Sequence, residues 1–220
     1  MPHRVLKVPE RGMIDAYERL LAARHFTADA AQRAAAERLQ RLYYDLLSFK
    51  VGRRSALRRF FTPPEVPRGL YFWGGVGRGK SFLMDCFFDA VPYRRKRRIH
   101  FHAFMHDVHR QLNELKGGSD PLLRVAERIA SEVRLLCFDE FHVSDIADAM
   151  ILGRLLEALF ARGVVFVMTS NYPPEKLYPN GLQRENFLPT IALIKSRLDV
   201  LEIDAGVDYR LRTLEQVEIF

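Results

Sequence analysis

Near the start of the chain, between residues 12 and 61, apolar positions recur at helical spacing, with Leu39, Leu42, Tyr43, Leu46 and Leu47 falling on one face. Asp29 stands where it can cap the long Ala- and Arg-rich helix that carries them. That face is expected to pack on the protein's own core rather than on a partner. Thr62-Pro63-Pro64-Glu65-Val66-Pro67 then breaks the pattern. From Arg68 onward, short apolar runs alternate with helical periodicity. The runs Leu70–Trp73, Ile99–Phe104, Arg134–Phe138, Val164–Met168 and Asp199–Ile203 read as strands. Phe82–Phe88, Met105–Leu115, Pro121–Ser131 and Asp145–Ala161 read as helices, the last closed by Gly163. Strands alternating with helices predict an α/β fold, a five-stranded parallel sheet covered by helices. The organisation expected is a helical segment over 1–61, a Pro-rich linker over 62–67 and the α/β core over 68–220.

Composition adds boundaries. In 220 residues, 48% are apolar and 28% charged, an ordinary globular balance. No run is long enough to span a bilayer, and the N-terminus lacks an apolar signal region, so a cytoplasmic protein with no transmembrane segment is expected. Cys86 and Cys137 sit in apolar surroundings and are expected to be buried, reduced thiols. The net charge is +7, with basic runs at Lys50, Arg53, Arg54, Arg58 and Arg59 and at Arg94-Arg95-Lys96-Arg97-Arg98. Both are read as solvated segments, a linker and a turn. A nucleic-acid contact is the alternative, and neither run carries the interleaved aromatic residues of a stacking platform.

The chemistry begins at Gly74-Gly75-Val76-Gly77-Arg78-Gly79-Lys80-Ser81, which satisfies G-x-x-x-x-G-K-[ST] between a strand and a helix. Glycines let backbone N–H groups turn toward phosphates, and the following helix adds the positive end of its dipole. Lys80 would reach the β- and γ-phosphates, and the Ser81 hydroxyl would hold Mg2+. ATP with Mg2+ is the expected ligand.

Two later strands end in polar groups at the edge where ligands bind in parallel sheets. Asp139 and Glu140 close the third; Asp139 would help hold Mg2+ and Glu140 would polarise the attacking water. Thr169, Ser170 and Asn171 close the fourth, with Asn171 placed to orient the water or touch the γ-phosphate. Farther on, Arg184 is either an arginine finger acting in a neighbour's site or one side of an ion pair with Glu185 or Glu175. His100, His102, His106 and His109 cluster, but a strand-to-helix switch inside the cluster argues against zinc. A partly buried edge or a contact with the Asp139–His142 segment is expected instead.

Taken together, these residues resemble the ZapE and AFG-like ATPase family of the AAA+ superfamily. The resemblance rests on Arg68 to Ser81, His100-Phe101-His102-Ala103-Phe104-Met105, Cys137-Phe138-Asp139-Glu140-Phe141 and Thr169-Ser170-Asn171. It continues through Gly181-Leu182-Gln183-Arg184-Glu185, Phe187-Leu188-Pro189 and Asp208-Tyr209-Arg210, and extends weakly to Asp29 and Gln32. It implies a P-loop NTPase core of three layers, α/β/α, behind an N-terminal helical arm. The implied activity is Mg2+-dependent ATP hydrolysis in a homo-oligomer, with Asn171 as first sensor and Arg184 as candidate finger. It further implies a protein substrate, with bacterial members linked to cell division and the division-ring protein FtsZ, and hence the bacterial cytoplasm or the division site at the inner membrane. Family members continue well past the Asp208-Tyr209-Arg210 motif, so a C-terminal helical lid is expected to be absent from this chain. Three functions compete: an ATP-hydrolysing remodeller, which leads; a nucleotide-gated binding module with little turnover; and a DNA-associated loader.

Overall fold

The computed structural model describes residues 12–23, 27–54, 65–77, 79–115 and 120–203. Two helices come first, α1 (Met13–Ala23) and α2 (Ala30–Arg54). α2 starts where the capping residue predicts. Asp29 Oδ1 accepts a 2.7 Å hydrogen bond from the Gln32 amide, and Gln32 Oε1 accepts from the Asp29 amide at 3.4 Å. This reciprocal pair satisfies two donors at the helix start. Leu39, Leu42 and Leu46 are fully buried, each contributing roughly 1.5–3 kcal/mol by burial.

The rest alternates as β1 (Gly69–Trp73), α3 (Lys80–Ala90), β2 (Lys96–His100), α4 (Phe101–Glu114), α5 (Pro121–Glu132), β3 (Leu135–Asp139), α6 (Ile146–Ala161), β4 (Val165–Ser170), α7 (Leu188–Arg197) and β5 (Leu198–Glu202). Two 3₁₀ turns, Pro174–Lys176 and Arg184–Phe187, connect β4 to α7. The five strands are all parallel, in the order β2-β3-β4-β1-β5.

Period-two alternation along the strands sorts their side chains into two cores. Leu70, Phe72, Leu135, Cys137, Val165 and Val167 pack with α1, α2 and α3 on one face. Tyr71, Leu136, Phe138, Phe166 and Met168 pack with α4, α5, α6 and α7 on the other. Three layers result, and the N-terminal helices belong to one of them. Both cysteines are buried and neither forms a disulfide, and burial pushes the Cys137 thiol up.

The second strand departs from the sequence reading. Expected over Ile99–Phe104, it runs over Lys96–His100, and the chain is helical from Phe101. Phe101, Phe104, Met105 and Val108 repeat at helical spacing and are all buried, so the helical period outweighs the strand preference of the aromatic residues. As a consequence Lys96, Arg97 and Arg98 are not turn residues; they pair with Leu135, Leu136 and Cys137 on an edge strand, where charged side chains are tolerated. His102, His106 and His109 now share α4. His109 Nε2 lies 2.7 Å from Asp148 Oδ1 on α6, and among the described residues no group of three or more acids, histidines or cysteines converges as a metal site. α7 has no counterpart in the sequence reading. Its Pro189 stands in the first turn, where a missing N–H costs nothing.

The remaining strand boundaries agree within two residues. Several expectations lie outside the described residues: helix over 55–61, Arg58 and Arg59 of the first basic run, residues 62–64 of the linker, Arg78, and the stretch 204–220 with its Asp208-Tyr209-Arg210 motif.

Candidate active site

β1 delivers the chain to the loop before α3. Gly79 adopts a left-handed conformation, φ 82°, at the N-cap of α3, and a Cβ there would lie 2.9 Å from Gln32 Nε2. Glycine is therefore favoured by the left-handed backbone, while the Gln32 side-chain amide could move aside for a Cβ. No side chain caps α3 and no acid occupies its first turn. Its amides and dipole are thus directed at whatever anion sits over the loop.

Lys80, 9% exposed, folds back over that loop. Its Nζ donates to the Gly74 and Gly75 carbonyls, both at 2.6 Å, and to Asn171 Oδ1 at 3.2 Å. The last bond joins the loop to the end of β4. Ser81 follows on the exposed side of the helix start.

β3 ends at the same edge. Asp139 is nearly buried, and both of its carboxylate oxygens accept from Arg98 of β2, Nε to Oδ2 at 2.7 Å and Nη2 to Oδ1 at 3.1 Å. Arg98 also reaches Asp85 of α3 through Nη1. Burial opposes the Arg98 charge, but hydrogen bonds to Asp139 and Asp85 outweigh it and hold the guanidinium more firmly protonated than usual. Glu140 follows with φ 53° and its side chain in solvent; its Oε2 stands 3.9 Å from His100 Nδ1. That contact meets the expectation that the histidine cluster approaches this segment.

The polar end of β4 divides its labour. Thr169 Oγ1 accepts from the Glu140 amide at 3.2 Å, and the Thr169 carbonyl accepts from the Phe141 amide at 2.7 Å. Ser170 Oγ donates to the Phe141 carbonyl at 2.7 Å and accepts from the Tyr172 amide at 3.1 Å. These bonds set the backbone that carries Glu140. Asn171 is left to face Lys80.

Arg184 is separate. It opens the 3₁₀ turn Arg184–Phe187, and its Nη2 donates to the Glu175 backbone carbonyl at 2.8 Å, while Nε is buried without a partner. The alternative, an ion pair with Glu185 or Glu175, is not seen among the described residues; the Glu175 carboxylate meets Lys195.

Lys80, Ser81, Asp139, Glu140 and Asn171 thus stand at one edge of the sheet, the order their motifs require. The profile of the AFG1-like ATPase family matches residues 13–220. The chain belongs to that family. It is 51% identical to the cell division protein ZapE of Escherichia coli strain K12, over 87% of this chain and 54% of that protein. Lactation elevated protein 1 homolog B of Danio rerio is 49% identical over 70% of this chain and 33% of that protein. The chain therefore spans about half the length of the first of these relatives and a third of the second. Among solved structures, AMPPCP-bound DnaA from Aquifex aeolicus superposes with a TM-score of 0.58 at 14% identity, covering 95% of this chain and 55% of that one. That likeness is one of fold, a P-loop NTPase core.

For a member of this family, the oxygen donors Ser81 and Asp139 suit a hard cation such as Mg2+. The residue that sequence reasoning missed is Arg98. It lay inside a run read as a solvated turn and before the expected strand; its one signal was its place two residues ahead of His100, on the same face once the strand begins at Lys96.

Proposed function

We propose that this chain binds ATP with Mg2+ at the loop before α3 and hydrolyses it, and that the cycle remodels a protein partner in bacterial cell division. The observation that carries the proposal is the Lys80–Asn171 hydrogen bond, which joins the phosphate loop to the polar end of β4 beside the strand that ends in Asp139 and Glu140.

The loop amides and Lys80 bind the β- and γ-phosphates, Lys80 exchanging loop carbonyls for phosphate oxygens. Mg2+ held by Ser81 and Asp139 would supply neutralising charge on those oxygens. Glu140, exposed and fixed by the strained turn after β3, orients and polarises the attacking water. Asn171 holds the far side of the γ-phosphate or that water. Arg184, tied to a carbonyl rather than a carboxylate, serves a neighbouring subunit in a homo-oligomer. Similarity to a cell division protein supports a protein partner, for which FtsZ is the named candidate. A bacterial cytoplasmic protein acting at the division site fits this role, and no helix among the described residues is long and apolar enough to cross a membrane.

The test is Glu140→Gln. Nucleotide affinity should be unchanged while turnover falls by about 10²- to 10⁴-fold. Equal phosphate release by both proteins would favour the gated binding module and remove hydrolysis from the proposal.

A further inference from the structure

At the end of the sheet opposite the nucleotide edge lies a cavity of about 600 Å³. Its walls carry Lys50 and Arg53 from the C-terminal part of α2, Arg94 and Arg95 from the approach to β2, and Arg134 from the approach to β3. The strands between this cavity and Asp139 are five residues long, about 16 Å, so the two sites do not overlap.

Three of the five cations are anchored by backbone carbonyls. Lys50 Nζ donates to the Pro92 carbonyl at 2.7 Å, Arg95 Nη2 to the Ala130 carbonyl at 2.8 Å and Arg134 Nη1 to the Arg162 carbonyl at 2.8 Å. Lys50 also stands over the Tyr93 ring and Arg53 over the Phe49 ring. Such contacts fix position without removing charge. Elsewhere Arg38, Arg98, Arg110, Arg154 and Arg162 each meet a carboxylate. Among the described residues, none of the five cavity cations does. The concentration of like charge is felt within the fold: burial first, then Arg53 and Arg95, push the Arg134 guanidinium down to about 10.

We propose that this cavity is a second anion site, built for a small ligand bearing clustered phosphates. Guanidinium forks suit phosphate oxygens geometrically, and a ligand with several negative charges relieves a repulsion that the protein otherwise bears alone. A volume of about 600 Å³ is that of a small-molecule pocket, which suits a compact polyphosphate. Phe49 and Tyr93 are buried beneath the cations, so no aromatic face is open to stack on a base.

Inorganic tripolyphosphate is the probe, titrated calorimetrically into the full chain carrying Lys80→Ala, which removes competition from the phosphate loop. Saturable one-to-one binding is expected, weakening as salt rises. Arg53→Gln and Arg94→Gln should each weaken it roughly tenfold, as loss of a charge-assisted bond does. Without the probe, Arg53→Gln should melt no lower than the parent, because it relieves repulsion; this separates a binding role from a structural one. Absence of binding at low salt, or binding unaffected by either substitution, overturns the proposal. So does binding of a single-stranded oligonucleotide or of phosphatidylglycerol vesicles without binding of tripolyphosphate.

Discussion

Replacing Arg98 by Gln removes the guanidinium that holds both oxygens of Asp139. The side chains of Arg98 and Asp139 are 22% and 13% exposed, so the pair lies mostly out of water. Each hydrogen bond between charged groups is worth about 1.5–3 kcal/mol, and the broken pair leaves a nearly buried carboxylate without its counter-charge. The Asp85 arm adds little, since that side chain is 51% exposed. A loss of about 2–4 kcal/mol is expected, or on the order of 5–15 °C in melting temperature for a chain of this size. Urea denaturation of wild type, Arg98→Gln, Asp139→Asn and the double variant forms a cycle whose coupling should be about 2 kcal/mol. Adding Mg2+ with a non-hydrolysable ATP analogue should restore part of the loss in Arg98→Gln, because the metal replaces the missing positive charge at Asp139. Additivity within about 0.5 kcal/mol would refute the assignment.

Three further outcomes are expected. Asp199 accepts from Arg38 and Arg68; although burial alone would raise its pKa, these bonds hold it below its ordinary value of 3.8. A depressed carboxylate stabilises the fold above its unfolded pKa and stops doing so as pH falls through the folded one. The stability gap between wild type and Asp199→Asn, read from urea midpoints, should therefore be full near neutrality and close below pH of about 4; a gap constant with pH would count against the ion pair. Gly79→Ala should cost about 1–2 kcal/mol of stability from the left-handed backbone, and more in nucleotide affinity as the loop shifts; wild-type affinity by fluorescent-nucleotide titration would disprove the loop geometry. Arg184→Ala should lower ATP turnover without changing nucleotide affinity, and mixing it with the otherwise inactive Glu140→Gln chain should restore some activity, since each supplies what the other lacks; no recovery over a range of mixing ratios would exclude action in trans.

Much of this protein could be read before any coordinates. The phosphate loop is local chemistry: glycines, a lysine and a hydroxyl in consecutive positions, flanked by a strand and a helix, carry their own geometry. The strands that lead into Asp139 and into Ser170 and Asn171 were legible for the same reason, as an apolar run closing in polar residues needs no distant partner to be recognised. The start of α4 was legible but misread, because Phe101 and Phe104 suit a strand and a helix equally until Met105 and Val108 complete the helical period. Other features depend on contacts between residues far apart in the chain. Asp139 lies 41 positions from Arg98, and Arg134 is 81 from Arg53. Only the parallel pairing of β2 with β3 brings the first pair together, and only the packing of α2 at the base of the sheet brings the second. Local sequence specifies which conformations and reactive groups are available along the chain; the order of strands in the sheet selects which charges become neighbours, and so turned one basic run into a partner for Asp139 and a wall of an anion cavity.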